Sequence, residues 1–188
     1  MAITELRGFI RAYDGDLTPA FCQRMIDSFH SLSRHHQPKG RGHRAGLENS
    51  AWTELNVTSL SDASFLGFFR ARIDQALEQY NRDIGLDIPV PNSPKTAELI
   101  LKRYRTGVDE KFQQHFDSIY EVSNRYLALL WYLNDVAEGG ETVFPKLSVS
   151  IAARQGRMLV FPPYWMFQHA GLPPLSNEKY ILSTYLLF

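Results

Sequence analysis

Cysteine is nearly absent from this 188-residue chain, Cys22 being the only one. A lone thiol excludes an internal disulfide framework and a cysteine-based metal cluster. Net charge is absent as well, because 20 Lys and Arg balance 20 Asp and Glu. No overall field therefore argues for a nucleic-acid or membrane partner. No stretch approaches the roughly 18 apolar residues that suggest a membrane helix. The chain also lacks an opening basic segment followed by an apolar run, and the expectation is a cytoplasmic protein. Internal repeats, low-complexity tracts and composition shifts are missing too, so 1–188 reads as one domain, long enough for a good-sized core.

Periodicity divides the chain in two. Thr18-Pro19 offers an N-cap followed by proline at the first helical position. Phe21, Met25, Ile26, Phe29 and Leu32 then recur at helical spacing. Cys22 falls on that apolar face as a small core residue. A second helix is expected from about Ser61-Asp62 to Asp83, with Phe65, Phe69, Ile73, Leu77 and Tyr80 as its stripe and Gly85 as its stop. Between the helices, Ser33 to Ser50 has no periodicity and reads as a loop. It carries Arg34, Lys39, Arg41 and Arg44, with no acidic residue between Ser33 and Leu47. His30, His35, His36 and His43 are too irregularly spaced for a second metal site and are expected to face solvent.

From Thr96 onward the pattern turns to short β-type runs punctuated by glycine and proline. The expected strands are Thr96 to Arg105, Phe112 to Asp117, Tyr126 to Leu133, Glu141 to Phe144, Leu147 to Ala153, Arg157 to Phe161, Met166 to His169 and Lys179 to Leu187. Such a series without intervening helices indicates an antiparallel sandwich or barrel. The fold class is mainly β with flanking α, an eight-stranded jelly roll with the two N-terminal helices packed outside.

The chemistry concentrates in His115-Phe116-Asp117, His169 and Lys179. Side chains at i and i+2 of an extended strand share a side, so His115 and Asp117 can grip one ion while Phe116 faces away. His169 must then be brought in by a returning chain. Two imidazoles and one carboxylate on one face of a metal describe the facial triad of non-haem Fe(II) oxygenases. Lys179, ten positions beyond His169, suits a carboxylate because an ammonium is a compact point charge on a flexible stem. Along the run Lys179 to Tyr185, odd positions share a face. Gly139-Gly140 reads as a tight turn, since no helix follows to make a phosphate cradle. Tyr164-Trp165 either line the mouth of a site or cap the core.

The order Tyr104, H-x-D, a Y-L-N-D strand, E-G-G-E-T-x-F-P from Glu138 to Pro145, a G-x-x-L-x-F-P strand, a distal histidine and lysine at plus ten resembles the prolyl 4-hydroxylases of the 2-oxoglutarate/Fe(II) oxygenase superfamily. Gly8 to Phe29, with Tyr13-Asp14 and Phe21-Cys22, is similar to that family's leading strand and first helix. The resemblance implies a double-stranded β-helix holding Fe(II) through His115, Asp117 and His169. It implies 2-oxoglutarate as co-substrate, paired with Lys179 and near Tyr104, with Thr142 and Tyr132 as further hydrogen-bonding candidates. Dioxygen is the oxidant, and ascorbate an accessory reductant. Nucleic-acid demethylases of the superfamily usually anchor 2-oxoglutarate with arginine, whereas here no arginine follows Arg157.

Three functions stay open at this point. One is a hydroxylase of proline in a peptide or protein, over which the basic loop would close as a lid. A second is a hydroxylase of a free amino acid or other small metabolite on the same scaffold. A third is a non-catalytic cupin-like binding module, which would have no need of a 2-oxo-acid anchor.

Overall fold

Each helix forms where its caps and stripe require. The computed structural model describes residues 5–43 and 45–188. In α1 (Pro19–Ser31) the Thr18 side chain accepts from the Phe21 N–H, and Cys22, Met25, Ile26 and Phe29 are buried. In α2 (Ala63–Ile84) the Asp62 side chain accepts from the Phe65 N–H, and Gly85 ends the helix in the left-handed region at φ 60°. No described helix is long and apolar enough to cross a membrane.

Eleven strands accompany them among the described residues. They are β1 (Arg11–Tyr13), β2 (Gln37–Gly40), β3 (Ala51–Asn56), β4 (Ile100–Tyr104), β5 (Phe112–His115) and β6 (Arg125–Tyr132), then β7 (Thr142–Phe144), β8 (Val149–Ile151), β9 (Met158–Phe161), β10 (His169–Gly171) and β11 (Lys179–Leu187). They form a seven-stranded sheet, β1-β9-β6-β11-β4-β3-β2, and a four-stranded sheet, β5-β10-β7-β8. Every pairing within the two sheets is antiparallel.

Alternation along the central strands builds two cores. Leu127, Leu129 and Trp131 of β6 and Tyr180 and Leu182 of β11 pack under the helices with Phe29, Phe69 and Ile73. Tyr132, Ile181 and Tyr104 point the other way and meet Phe144 of the smaller sheet. The helices thus lie outside the larger sheet, and the second core and the site lie between the sheets in a jelly-roll arrangement.

The expected irregular loop at 33–50 is partly structured. It contains a single 3-10 turn at Ser33–His35 and then β2, which pairs with β3 at the sheet's edge. β2 reads Gln-Pro-Lys-Gly, so proline and lysine hide its periodicity while suiting an edge position. Two of the loop's basic residues are paired. Lys39 lies 3.3 Å from Glu54 and Arg41 3.2 Å from Asp109; Arg44 lies outside the described residues. His36 does not face solvent: it stacks on Phe29 at 3.9 Å and bonds the Phe29 carbonyl at 2.8 Å.

Of the strand starts, two move furthest. The strand expected from Thr96 begins at Ile100, Thr96 making only an isolated bridge to Leu186. Trp165–Phe167 is a 3-10 turn, so the strand expected from Met166 starts at His169 itself.

Candidate metal centre

β5 and β10 pair so that His115 stands directly opposite His169. Their ring centres are 4.3 Å apart. His115 Nδ1 donates to the Gln113 carbonyl at 2.7 Å and His169 Nδ1 to the Phe167 carbonyl at 3.0 Å. A carbonyl only accepts, so each ring carries its proton on Nδ1 and keeps the Nε2 lone pair for a ligand role. Asp117 completes the group. Its Oδ1 is 3.3 Å from His115 Nε2 and its Oδ2 3.5 Å from His169 Nε2. Donor atoms of all three residues lie within 4.8 Å of one another, a spacing that could hold one metal ion.

The strand expected to reach Asp117 ends at His115. Asp117 is held instead by its main chain, because the N–H groups of Asp117 and Ser118 both donate to the Pro163 carbonyl at 3.0 Å. That anchor ties the proximal pair to the turn that leads into His169.

The carboxylate is buried and half satisfied. Tyr185 Oη donates to Asp117 Oδ1 at 3.0 Å, whereas Oδ2 is buried with no hydrogen-bond partner. A bare buried carboxylate oxygen is costly, and a cation at the mouth of the triad would remove that cost. Burial works to raise the Asp117 carboxyl, but the imidazoles of His169 and His115 outweigh it and hold the group well below the usual carboxylate range. Burial, aided by His115, pushes the His169 imidazole down to about 4. It is therefore neutral and able to ligate near neutral pH. The donor set thus fits a divalent first-row metal.

Lys179 opens β11 opposite Tyr104 of β4. It is 2% exposed. Its Nζ lies over the rings of Tyr104 at 5.4 Å and Tyr132 at 5.6 Å. No carboxylate stands within ion-pair distance of it among the described residues. Burial pushes the ammonium down to about 7, with Glu141 pulling the other way. Tyr132 Oη donates to Thr142 Oγ1 at 2.7 Å, which leaves the Thr142 proton for another acceptor. Tyr132 stands behind Thr142, outside the pocket lining, while Tyr104 and Thr142 are in it.

One pocket of about 470 Å³ joins these parts, lined by the triad, Lys179, Tyr104 and Thr142. Gly139 and Gly140, at φ 73° and 74°, close its rim. A Cβ on Gly139 would stand 2.4 Å from the Pro173 carbonyl oxygen, so only glycine lets this turn lie against the segment leading to Lys179. Of the aromatic pair before His169, Tyr164 packs on the helix-side core and Trp165 is exposed.

Among the lining residues that escaped the sequence reading are Tyr185, Phe112 and Lys102. Phe112 stacks on His115 at 3.7 Å. Lys102 is half-buried, and burial pushes its ammonium below the usual lysine range, against the pull of Glu54 and Asp117. The signal was strand parity, because Tyr185 shares odd parity with Lys179, and Lys102 even parity with Tyr104.

The family model of the 2OG-Fe(II) oxygenase superfamily matches residues 99–187. "Probable prolyl 4-hydroxylase 11" of Arabidopsis thaliana is 32% identical over 137 residues, 69% of this chain and 46% of that protein. The chain spans less than half the length of the curated relatives it matches first. A prolyl hydroxylase from Trichoplax adhaerens, solved with a hypoxia inducible factor oxygen degradation domain peptide fragment, superimposes with TM-score 0.74 at 12% identity, covering 96% of this chain and 84% of that one. The viral collagen prolyl hydroxylase of Paramecium Bursaria Chlorella virus-1, solved as a 2OG complex, gives TM-score 0.64 at 19% identity, covering 94% of both chains. At these identities the two structures speak for the fold.

Proposed function

The chain belongs to the 2OG-Fe(II) oxygenase superfamily and is prolyl 4-hydroxylase-like, and from that premise we propose that it is a 2-oxoglutarate-dependent hydroxylase acting on proline in a peptide or protein. The observation that carries the reading is the pairing of two needs in one pocket. Asp117 Oδ2 is a buried oxygen without a partner, and Lys179 is a buried ammonium facing aromatic rings. A divalent iron answers the first and a dicarboxylate answers the second.

His115, Asp117 and His169 would hold Fe(II), which supplies the redox chemistry that couples dioxygen, decarboxylation of 2-oxoglutarate to succinate, and substrate hydroxylation. The protein's own work is orientation. The Gln113 and Phe167 carbonyls fix each imidazole, and Tyr185 fixes the carboxylate. Lys179 would pair with the far carboxylate of 2-oxoglutarate, with Thr142 and Tyr104, which line the same pocket, as further hydrogen-bond donors. Tyr132 orients Thr142. The rings of Phe112, Phe144 and Phe161 pack against the two imidazoles and keep water from the reacting centre. Ascorbate as reductant and a cytoplasmic setting belong to the same reading.

Incubation with ferrous iron, 2-oxoglutarate and a proline-rich peptide tests it. The peptide should gain one oxygen atom in step with succinate formation, and the new residue should be hydroxyproline. Succinate formed without any oxidised peptide would leave the co-substrate half standing and remove the peptide half.

A further inference from the structure

Lys102 places a second cation in the pocket, and neither the metal nor 2-oxoglutarate uses it. On β4 it shares a face with Tyr104, and both line the pocket. Its Nζ lies over the rings of Trp52 at 5.8 Å and Phe112 at 5.7 Å. Phe112 in turn stacks on His115, which puts the ammonium on the triad's side of the pocket, while Lys179 sits over Tyr104 and Tyr132.

The ordinary role for such a lysine is a cross-strand ion pair, and Glu54 is the residue directly opposite it on β3. Glu54 is committed elsewhere, however. Its Oε2 accepts from Trp52 Nε1 at 3.0 Å, and its Oε1 pairs with Lys39 at 3.3 Å. Lys102 has no hydrogen bond and no ion pair among the described residues.

Charge balance then indicates what the pocket lacks. A divalent metal, the Asp117 carboxylate, both carboxylates of 2-oxoglutarate and the Lys179 ammonium together are formally neutral, and Glu141 near Lys179 adds one negative charge. Glu54 and Lys39 cancel each other. Lys102 is left over, and Arg125, stacked on Tyr185 at 4.0 Å, adds a further positive charge nearby. A pocket with an uncompensated cation selects an anion, and a partly enclosed lysine rewards one strongly.

We propose that the substrate carries a carboxylate close to the carbon that is hydroxylated, and that Lys102 is the specificity-determining residue that pairs with it. This rests on the proposed 2-oxoglutarate chemistry. The carboxylate comes either from the main chain of a free imino or amino acid or from an acidic side chain beside the target proline.

The probes are blocked tripeptides with Asp or Glu beside proline, their Asn or Gln counterparts, free L-proline and L-prolinamide. Wild-type protein should favour the carboxylate member of a pair by about tenfold or more in kcat/KM, the size of one charge-assisted contact. Lys102→Met should abolish that preference, and Lys102→Arg should keep most of it. Calorimetric binding of the same probes to the manganese-loaded protein with 2-oxoglutarate should follow the same order without turnover. Preference confined to L-proline over prolinamide assigns the carboxylate to a free acid, and preference among the tripeptides assigns it to a side chain. Equal wild-type values for acid and amide, or a Lys102→Met protein that weakens both alike, would overturn the proposal. A Lys102→Met protein changed only in 2-oxoglutarate affinity would overturn it too, moving Lys102 to the co-substrate. Absence of metal-dependent 2-oxoglutarate binding in the wild type is a separate result, which sinks the underlying function instead.

Discussion

Tyr185 donates its hydroxyl to Asp117 Oδ1 at 3.0 Å across 68 positions of sequence. The contact leaves Asp117 Oδ2 as the bare oxygen, so the tyrosine selects which carboxylate oxygen a metal would meet. Tyr185→Phe should weaken metal affinity by roughly ten- to a hundredfold, the usual cost of losing such a supporting bond. Competition titration against a coloured chelator measures it. An unchanged affinity would show that Asp117 is oriented by its main-chain anchor alone.

Metal should stabilise the fold only through the triad. Ligand that binds the native state alone raises stability by mass action, about 2.7 kcal/mol at a hundredfold excess over Kd. A rise in melting temperature with added Mn(II) is therefore expected for the wild type and should vanish in Asp117→Ala. That variant should itself stay folded, because it removes a half-satisfied buried charge. Equal rises in both proteins would place the metal elsewhere.

Lys179 gives the metal-free protein a pH signature. Its folded value is lowered to about 7 from the ordinary 10.5, chiefly by burial. Between those values the unfolded chain binds more protons than the native one, so unfolding free energy rises with pH there. Below about 7 both states are protonated and the burial penalty is fully present. Denaturant titrations between about pH 7 and 10.5 should show this rise, and Lys179→Met should lessen it, the lowered Lys102 supplying a further share. A wild-type slope of the opposite sign would contradict an unpaired buried ammonium.

Gly139 tests the rim. Its φ of 73° and the 2.4 Å approach of a would-be Cβ to the Pro173 oxygen make Gly139→Ala a backbone conflict. A loss of about 1–3 kcal/mol in denaturation is expected. A loss below that range would mean that the turn can move away from Pro173.

Some of this was legible in the sequence because residue pattern and local physics agree. Thr18-Pro19, Asp62 and Gly85 mark helix ends through capping alone, and Lys179 to Leu187 is so rich in β-branched and aromatic residues that its bounds come out unchanged. The triad could be named as a candidate because the strings around it, Glu138 to Pro145 above all, resemble those of a known family, whereas H-x-D alone is a common spacing. β2 and β3 could not be read, because an edge strand of Gln-Pro-Lys-Gly takes its structure from a partner rather than from its own pattern. Asp117 looked like part of a strand, yet its place depends on the Pro163 carbonyl, a contact that sequence does not display. Nothing in the sequence singles out Lys102. Only the tertiary fold reveals that Glu54, its cross-strand neighbour, is already taken.

One pocket should bind a metal through His115, Asp117 and His169 and a dicarboxylate through Lys179. Calorimetric titration of 2-oxoglutarate into the Mn(II)-loaded protein, with and without Lys179→Met, tests it most directly. Binding should require the metal and should weaken by roughly ten- to a hundredfold in the variant, the cost of one charge-assisted contact. Binding that is independent of metal, or equally tight in Lys179→Met, would contradict the account.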